Sequence, residues 1–125
     1  VDKHEVLAAC TDDDTLLLHS LPLPMFKGEV NPYPRVGRIP GSKNLYCETL
    51  VDPATNCYVC REAMVEKFGP SGCLQSERVI TYCGGGIAAS SNALALTLSG
   101  HENVAVYDGS LTEWTADPEL PMETD

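Results

Sequence analysis

One junction constrains this chain more tightly than any other stretch. The run Val79-Ile80-Thr81-Tyr82 gives way to Cys83, which is followed at once by Gly84, Gly85 and Gly86. A short β-branched and aromatic run flanked by polar residues predicts a buried strand. Beyond the glycines, Ala89–Leu98 is rich in alanine and leucine and stops short of Gly100, as a helix does. A strand that turns into a helix through a side-chain-free loop sets a thiol beside free backbone N–H groups and the positive end of a helix dipole. Both favour the thiolate, the nucleophilic form of cysteine. Buried cysteine often serves only as a small hydrophobe, and a turn rarely needs more than one glycine. Three glycines in a row let several N–H groups converge on one point, the kind of concavity that holds an anion.

The remaining segments extend the same alternation. Thr15–His19, Lys43–Tyr46 and Val104–Tyr107 read as further strands. His4–Ala9, Arg61–Phe68 and a short turn at Leu111–Trp114 read as helices. Alternating strands and helices imply an α/β fold with a mostly parallel sheet covered on both faces. Arg61–Phe68 places Met64, Val65 and Phe68 on one side and Glu62, Glu66 and Lys67 on the other, so one face packs. Ala89–Leu98, small and apolar nearly all round, predicts a helix docked deep against the sheet. Leu21–Pro40 holds five prolines and two glycines and is expected to be irregular. At 125 residues, one domain spanning 1–125 is expected.

Eight Lys+Arg against eighteen Asp+Glu give a net charge of −10, which argues against nucleic acid and anionic membrane as partners. No apolar stretch approaches the length of a membrane span, and no basic, apolar leader opens the chain. The first residue is valine, as in a processed or excised fragment. Six cysteines in a chain long enough for a hydrophobic core do not look like a disulfide scaffold. They read as reduced thiols of a cytoplasmic protein.

Other anion loops compete for the same residues. Gly84-x-Gly86-x-x-Ala89 satisfies the dinucleotide fingerprint, with Asp108 at a plausible distance for a ribose hydroxyl. Only seventeen residues follow Asp108, too few for another strand-helix-strand unit, and a cysteine before the first glycine has no role there. A P-loop needs Lys and then Ser or Thr where Ile87-Ala88 stand. A cysteine phosphatase needs a closing arginine, and position 89 is alanine. Cys57-x-x-Cys60 offers a redox pair, or half of a zinc site with Cys47 and Cys73, but it follows a Pro-Ala-Thr-Asn turn and has no second close pair. His4, His19 and His101 share no metal-ligand spacing, and neither metal nor cofactor is expected. Tyr107 and Trp114 read as core, Asp108 as a loop-fixing acceptor, and Ser90 and Ser91 as capping residues of the first helical turn.

Tyr82-Cys83-Gly84-Gly85-Gly86-Ile87-Ala88-Ala89 resembles the active-site loop of rhodanese-type sulfurtransferases. The likeness continues through Gly100-His101-Glu102-Asn103-Val104, Tyr107-Asp108-Gly109-Ser110 and Glu113-Trp114. Upstream, Arg38-Ile39-Pro40-Gly41-Ser42-Lys43-Asn44 is similar to the family's His-Ile-Pro-Gly-Ala-x-Asn segment. The chain most resembles the catalytic, C-terminal half of tandem thiosulfate or mercaptopyruvate enzymes. The resemblance implies a rhodanese-like fold with a mostly parallel five-stranded sheet and helices on both faces. It also implies a six-residue loop, Cys83 to Ala88, that fits a sulfur-bearing substrate. Cys83 would take a sulfane sulfur from a small donor as a persulfide and yield it to a thiol or cyanide. The amides of Gly84, Gly85, Gly86, Ile87 and Ala88 would cradle the charge. An additional domain or a sulfur-acceptor protein is a further partner.

Two departures bear on the donor. The family's Asp-x-Arg at the end of the first long strand is replaced by His19-Ser20-Leu21, and Met25 stands where mercaptopyruvate enzymes carry a second arginine. An anionic donor must still meet positive charge in so acidic a chain, and Arg38 and Arg35 are the nearest substitutes by motif. A carrier module whose Cys83 is loaded by another protein, and a dinucleotide-binding α/β fragment, are the alternatives.

Overall fold

The computed structural model describes residues 1–30 and 32–125. In chain order the first elements are α1 (Lys3–Ala9), β1 (Thr15–His19), α2 (Leu23–Lys27), β2 (Lys43–Asn44), β3 (Val51–Asp52) and β4 (Cys57–Tyr58). There follow α3 (Arg61–Phe68), β5 (Arg78–Tyr82), α4 (Ile87–Leu98), β6 (Val104–Val106) and α5 (Ser110–Trp114). One parallel sheet runs in the order β2-β1-β5-β6. β5, which delivers Cys83, is thus an interior strand, paired with β1 from Thr15–Arg78 to His19–Tyr82 and with β6 from Val79–Val104 to Thr81–Val106.

Strand alternation sorts the core into two layers. Leu17, Ile80 and Tyr82 pack with Val6 and Ala9 of α1 and with Leu111 and Trp114 of α5. Leu18 and Val79 point the other way, to Met64 and Phe68 of α3 and Ala95 and Leu96 of α4. Both faces are therefore covered, as the alternation of elements demands. Burying a leucine or phenylalanine in these layers contributes about 2 kcal/mol each, and Phe68, Leu96, Leu111 and Trp114 are fully enclosed.

The structure corrects several expectations. Among the described residues the sheet has four strands, not five. β2 stops at Asn44 instead of Tyr46, because the ladder slips after Leu45 N donates to His19 O. Cys47 N takes the carbonyl of Ser20, and the chain winds into a 3-10 turn at Cys47–Leu50. β3 and β4 then pair antiparallel with each other, apart from the main sheet, around a turn in which Asp52 Oδ1 accepts from Ala54 N at 2.9 Å. Leu21–Pro40 is not wholly irregular: proline in the first turn and Gly28 in a left-handed conformation (φ 88°) bound α2. Val65 is 39% exposed and does not share the face of Met64 and Phe68. α4 buries only the stripe Ala89, Asn92, Ala95 and Leu96, leaving Leu94 and Leu98 about half exposed. Among the described residues no helix is long and apolar enough to cross a membrane.

Candidate active site

Cys83 follows β5 directly, is 2% exposed, and stands at the start of a loop that closes on its own sulfur. The Gly86 amide donates to Cys83 Sγ at 3.1 Å. That contact needs glycine: Gly86 has φ 99°, and a Cβ there would meet the Asp108 backbone at 3.3 Å. Gly86 also serves as the residue before α4, and its carbonyl accepts from Ser90 N at 3.1 Å and Ser90 Oγ at 2.7 Å. The sulfur is thus tied to the first turn of the helix. Gly84 is required for a different reason, since a methyl group there would collide with the Tyr33 hydroxyl. Gly85 and Ile87 lie at the exposed crest, Ile87 with 88% of its surface free, and Ala88 is half-buried.

The first half of the loop is fastened by the segment leading into α5. Cys83 N donates to Ser110 Oγ at 3.1 Å, and Ser110 Oγ donates to Tyr107 O at 2.7 Å. Leu111 N donates to Cys83 O, and both Thr112 N and Thr112 Oγ1 donate to Gly84 O. Ser110 holds φ 51°, a strained conformation for a residue with a side chain, and it is fully buried. Loop fixing therefore falls to Ser110 and Thr112 rather than to Asp108, which is exposed. Tyr107 and Trp114 are buried as expected. Ser91 does not cap; its hydroxyl is 2.8 Å from that of Tyr58.

His19, in the place of the family's aspartate, is fully buried beside this loop, in register with Tyr82. Its Nδ1 accepts from Leu21 N at 3.3 Å and lies 3.1 Å from Asn44 Nδ2, with the Phe26 and Tyr82 rings edge-on at 5.3 and 5.4 Å. Burial lowers its pKa to about 4, so the ring is neutral near pH 7. Tyr33 was not marked by any sequence pattern. Burial and the negative charge of Cys83 both raise its phenol, as its position over Gly84 requires.

The two arginines expected to receive an anionic donor have other work. Arg35 donates to the carbonyls of Thr115, Leu120, Trp114 and Asp117, at 2.7 to 3.3 Å. Arg38 is paired with Glu123 at 3.0 Å and Asp125 at 2.8 Å, donates to Phe26 O, and lies 4.2 Å above the Phe26 ring. Together they clasp the proline-rich segment to the last residues of the chain. Apart from Phe26, these partners lie some eighty positions downstream, where no local pattern reveals them. Cys57 and Cys60 are exposed, and Cys73 is buried with Ser71 Oγ donating to its sulfur. No cluster of three or more metal-ligating side chains occurs among the described residues.

The domain is a parallel α/β fold that holds one cysteine sulfur against a backbone amide in a glycine loop, at the carboxyl end of an interior strand. The chain belongs to the Rhodanese-like domain family, which it matches over residues 27–117. The dinucleotide fingerprint is then a coincidence of loop composition. Over 99% of its length the chain is 33% identical to a probable 3-mercaptopyruvate sulfurtransferase of Pseudomonas aeruginosa, covering 44% of that protein. It is 31% identical over 95% of its length to 3-mercaptopyruvate sulfurtransferase of Escherichia coli K12, covering 43%. The chain thus spans less than half the length of these relatives. Among solved structures it superposes on the anaerobic ergothioneine biosynthesis enzyme of Chlorobium limicola with its substrate trimethyl histidine. That match has a TM-score of 0.88 and 29% identity and covers 99% of this chain and 31% of that one.

Proposed function

We propose that the chain is a sulfurtransferase that takes a sulfane sulfur from a small donor onto Cys83 and passes it to a thiol or cyanide acceptor. The observation that carries this reading is the 3.1 Å contact from the Gly86 amide to Cys83 Sγ, at the mouth of a loop whose crest is open. The thiolate attacks the outer sulfur of a donor of the thiosulfate or 3-mercaptopyruvate type. The remaining part of the donor leaves with the bonding electron pair, and the cysteine holds a persulfide. An acceptor thiolate then attacks the outer sulfur and releases Cys83, so the cycle is ping-pong. The names of the relatives support sulfur transfer, and so does a neighbouring structure in which ergothioneine is linked to a cysteine persulfide.

The donor's negative charge is met by neutral donors, since Arg35 and Arg38 are bound elsewhere. The amides of Gly84 to Ala88 and the start of α4 supply that field. The pairing of Arg38 with Glu123 and Asp125, beyond the matched segment, supports a single domain over residues 1–125. All six cysteines are free, which suits the reducing cytoplasm.

Intact mass after incubation with thiosulfate, and separately with 3-mercaptopyruvate, tests the reading. One added sulfur atom that maps to Cys83 and disappears on addition of cyanide is expected. Sulfur that maps to Cys57 or Cys60 instead overturns the site. A chain that loads only from another protein, with no steady-state turnover of small donors, would be a carrier.

A further inference from the structure

Tyr33 reaches the glycine loop from outside it. Its ring is half-buried and packs against the core layer that holds Tyr82, Leu111 and Trp114. Its hydroxyl end lies on Gly84, the residue next to Cys83. A Cβ on Gly84 would collide with Tyr33 Oη and come within 2.9 Å of Cζ and 3.5 Å of Cε1. The segment that carries Tyr33 is held in place on both sides. Pro32 and Pro34 flank it, each locking its own φ, and the second also restricts the backbone of Tyr33. Two residues on, Arg35 donates to four carbonyls between Trp114 and Leu120 at 2.7 to 3.3 Å. Arg38 then exchanges backbone bonds with Glu123 at 2.9 and 2.8 Å. The hydroxyls nearest the loop in sequence serve to shape it. Ser90 Oγ donates to Gly86 O, Thr112 Oγ1 to Gly84 O and Ser110 Oγ to Tyr107 O, each at 2.7 Å. None of these three bonds involves Tyr33. Burial first, and then the charge of Cys83, keep its phenol protonated, so it remains an O–H donor near pH 7.

We propose that Tyr33 binds the anionic oxygen end of the sulfur donor, its hydroxyl donating to a sulfonate or carboxylate oxygen while the donor's sulfur meets Cys83. The inference rests on the persulfide reading above and names the side chain that selects the donor. With thiosulfate, Cys83 thiolate bonds to the outer sulfur, the sulfur–sulfur bond of the donor breaks, and sulfite departs with the electron pair. Negative charge gathers on the sulfite oxygens as that bond breaks, and a hydrogen bond already aimed at them strengthens in step. A neutral phenol suits this chain. Its net charge is −10, and the two arginines of the same segment are engaged with carbonyls and carboxylates. An O–H held over Gly84 contacts the anion without a buried cation beside the thiolate.

The test is Tyr33→Phe in the 125-residue chain, which keeps the ring and removes the hydroxyl. Persulfide formation from thiosulfate is followed by intact mass. Alkylation of Cys83 is followed by peptide mapping with iodoacetate and with iodoacetamide, two reagents of like size of which only the first is an anion. Persulfide formation is expected to slow by about tenfold or more, the loss of one hydrogen bond to a charged group. Iodoacetate is expected to react about fivefold more slowly, while iodoacetamide stays within about twofold of the parent. The unchanged iodoacetamide rate is what a merely structural role for the hydroxyl would not give. An unchanged ratio of the two alkylation rates overturns the proposal. Equal slowing by both reagents also overturns it, since the hydroxyl would then act on the loop or the thiol and not on the anion. A parent chain that takes up no sulfur overturns the persulfide reading itself, and the alkylation ratio still decides whether Tyr33 receives an anion.

Discussion

Two cysteines in this molecule stand just before a helix. Cys60 precedes α3, and Cys83 precedes α4 by the length of the glycine loop. Dipole arguments alone would give both an activated thiol. The surroundings differ. Cys60 makes no side-chain capping bond, is exposed, and follows a two-strand hairpin whose pairing spans two residues on each side. Cys83 is enclosed, has an amide hydrogen on its sulfur, and has its backbone pinned by Ser110 and Leu111, while Thr112 holds the next carbonyl, that of Gly84. In the proposed reading, the helix start at Cys83 becomes a chemical site because the approach of the chain is fixed there from a second direction. Here that second direction is α5.

The sharpest way to break this contrast is at the sulfur itself. Cys83→Ser is expected to abolish sulfur uptake with the far-UV spectrum unchanged, while the double variant Cys57→Ser, Cys60→Ser takes up sulfur as the parent does. Intact mass decides both, and uptake by the Cys83→Ser chain would erase the distinction. Next in size is Gly86→Ala, which strains a φ of 99° and presses on Asp108. Strain of about 1–3 kcal/mol at the amide that meets the sulfur is expected to slow thiosulfate turnover by about tenfold or more. An unchanged rate would show that the Gly86 contact is incidental.

A third prediction concerns what underlies the loop. His19 titrates at about 4 in the fold, lowered by burial from 6.5. Unfolded chains bind its proton below about pH 6.5, so its stabilising contribution is present above that pH and is lost as pH falls toward 4. Between pH 7 and 5 the unfolding free energy from urea titration is expected to drop by roughly 2 kcal/mol through this residue, and His19→Phe flattens the drop. Smaller still, Thr112→Val removes one bond to Gly84 O and is expected to cost about 1 kcal/mol with sulfur uptake retained. The smallest effect belongs to Arg38→Ala. Its charge is engaged with Glu123 and Asp125, so the KM for thiosulfate is expected to stay within about twofold of the parent. A tenfold rise would return that arginine to the donor.

What the sequence shows and hides follows the same divide. The β5–loop–α4 unit is legible because its strand, its glycines and its helix are contiguous, so local rules suffice. The hairpin is hidden because strands of two residues carry no period. The duties of Arg35 and Arg38 are hidden because guanidinium groups look alike until their distant carbonyl and carboxylate partners are in place. Val65 and Leu94 mislead because an apolar residue at the edge of a stripe does not reveal how wide a face the sheet covers. Tyr33 sits among prolines, where no spacing marks it as the residue above Gly84.

The interior position of β5 also orders events in time. Its strand is complete only when residues 15–19 lie on one side and residues 104–106 on the other, and the bonds that pin Cys83 come from residues 110–112. Such pairings between distant parts of the chain form late, because the loops that join them must close first. During synthesis Cys83 therefore lacks these bonds until residues 104–112 have been made and have folded back. Only then does the thiol stand in the setting proposed for sulfur transfer.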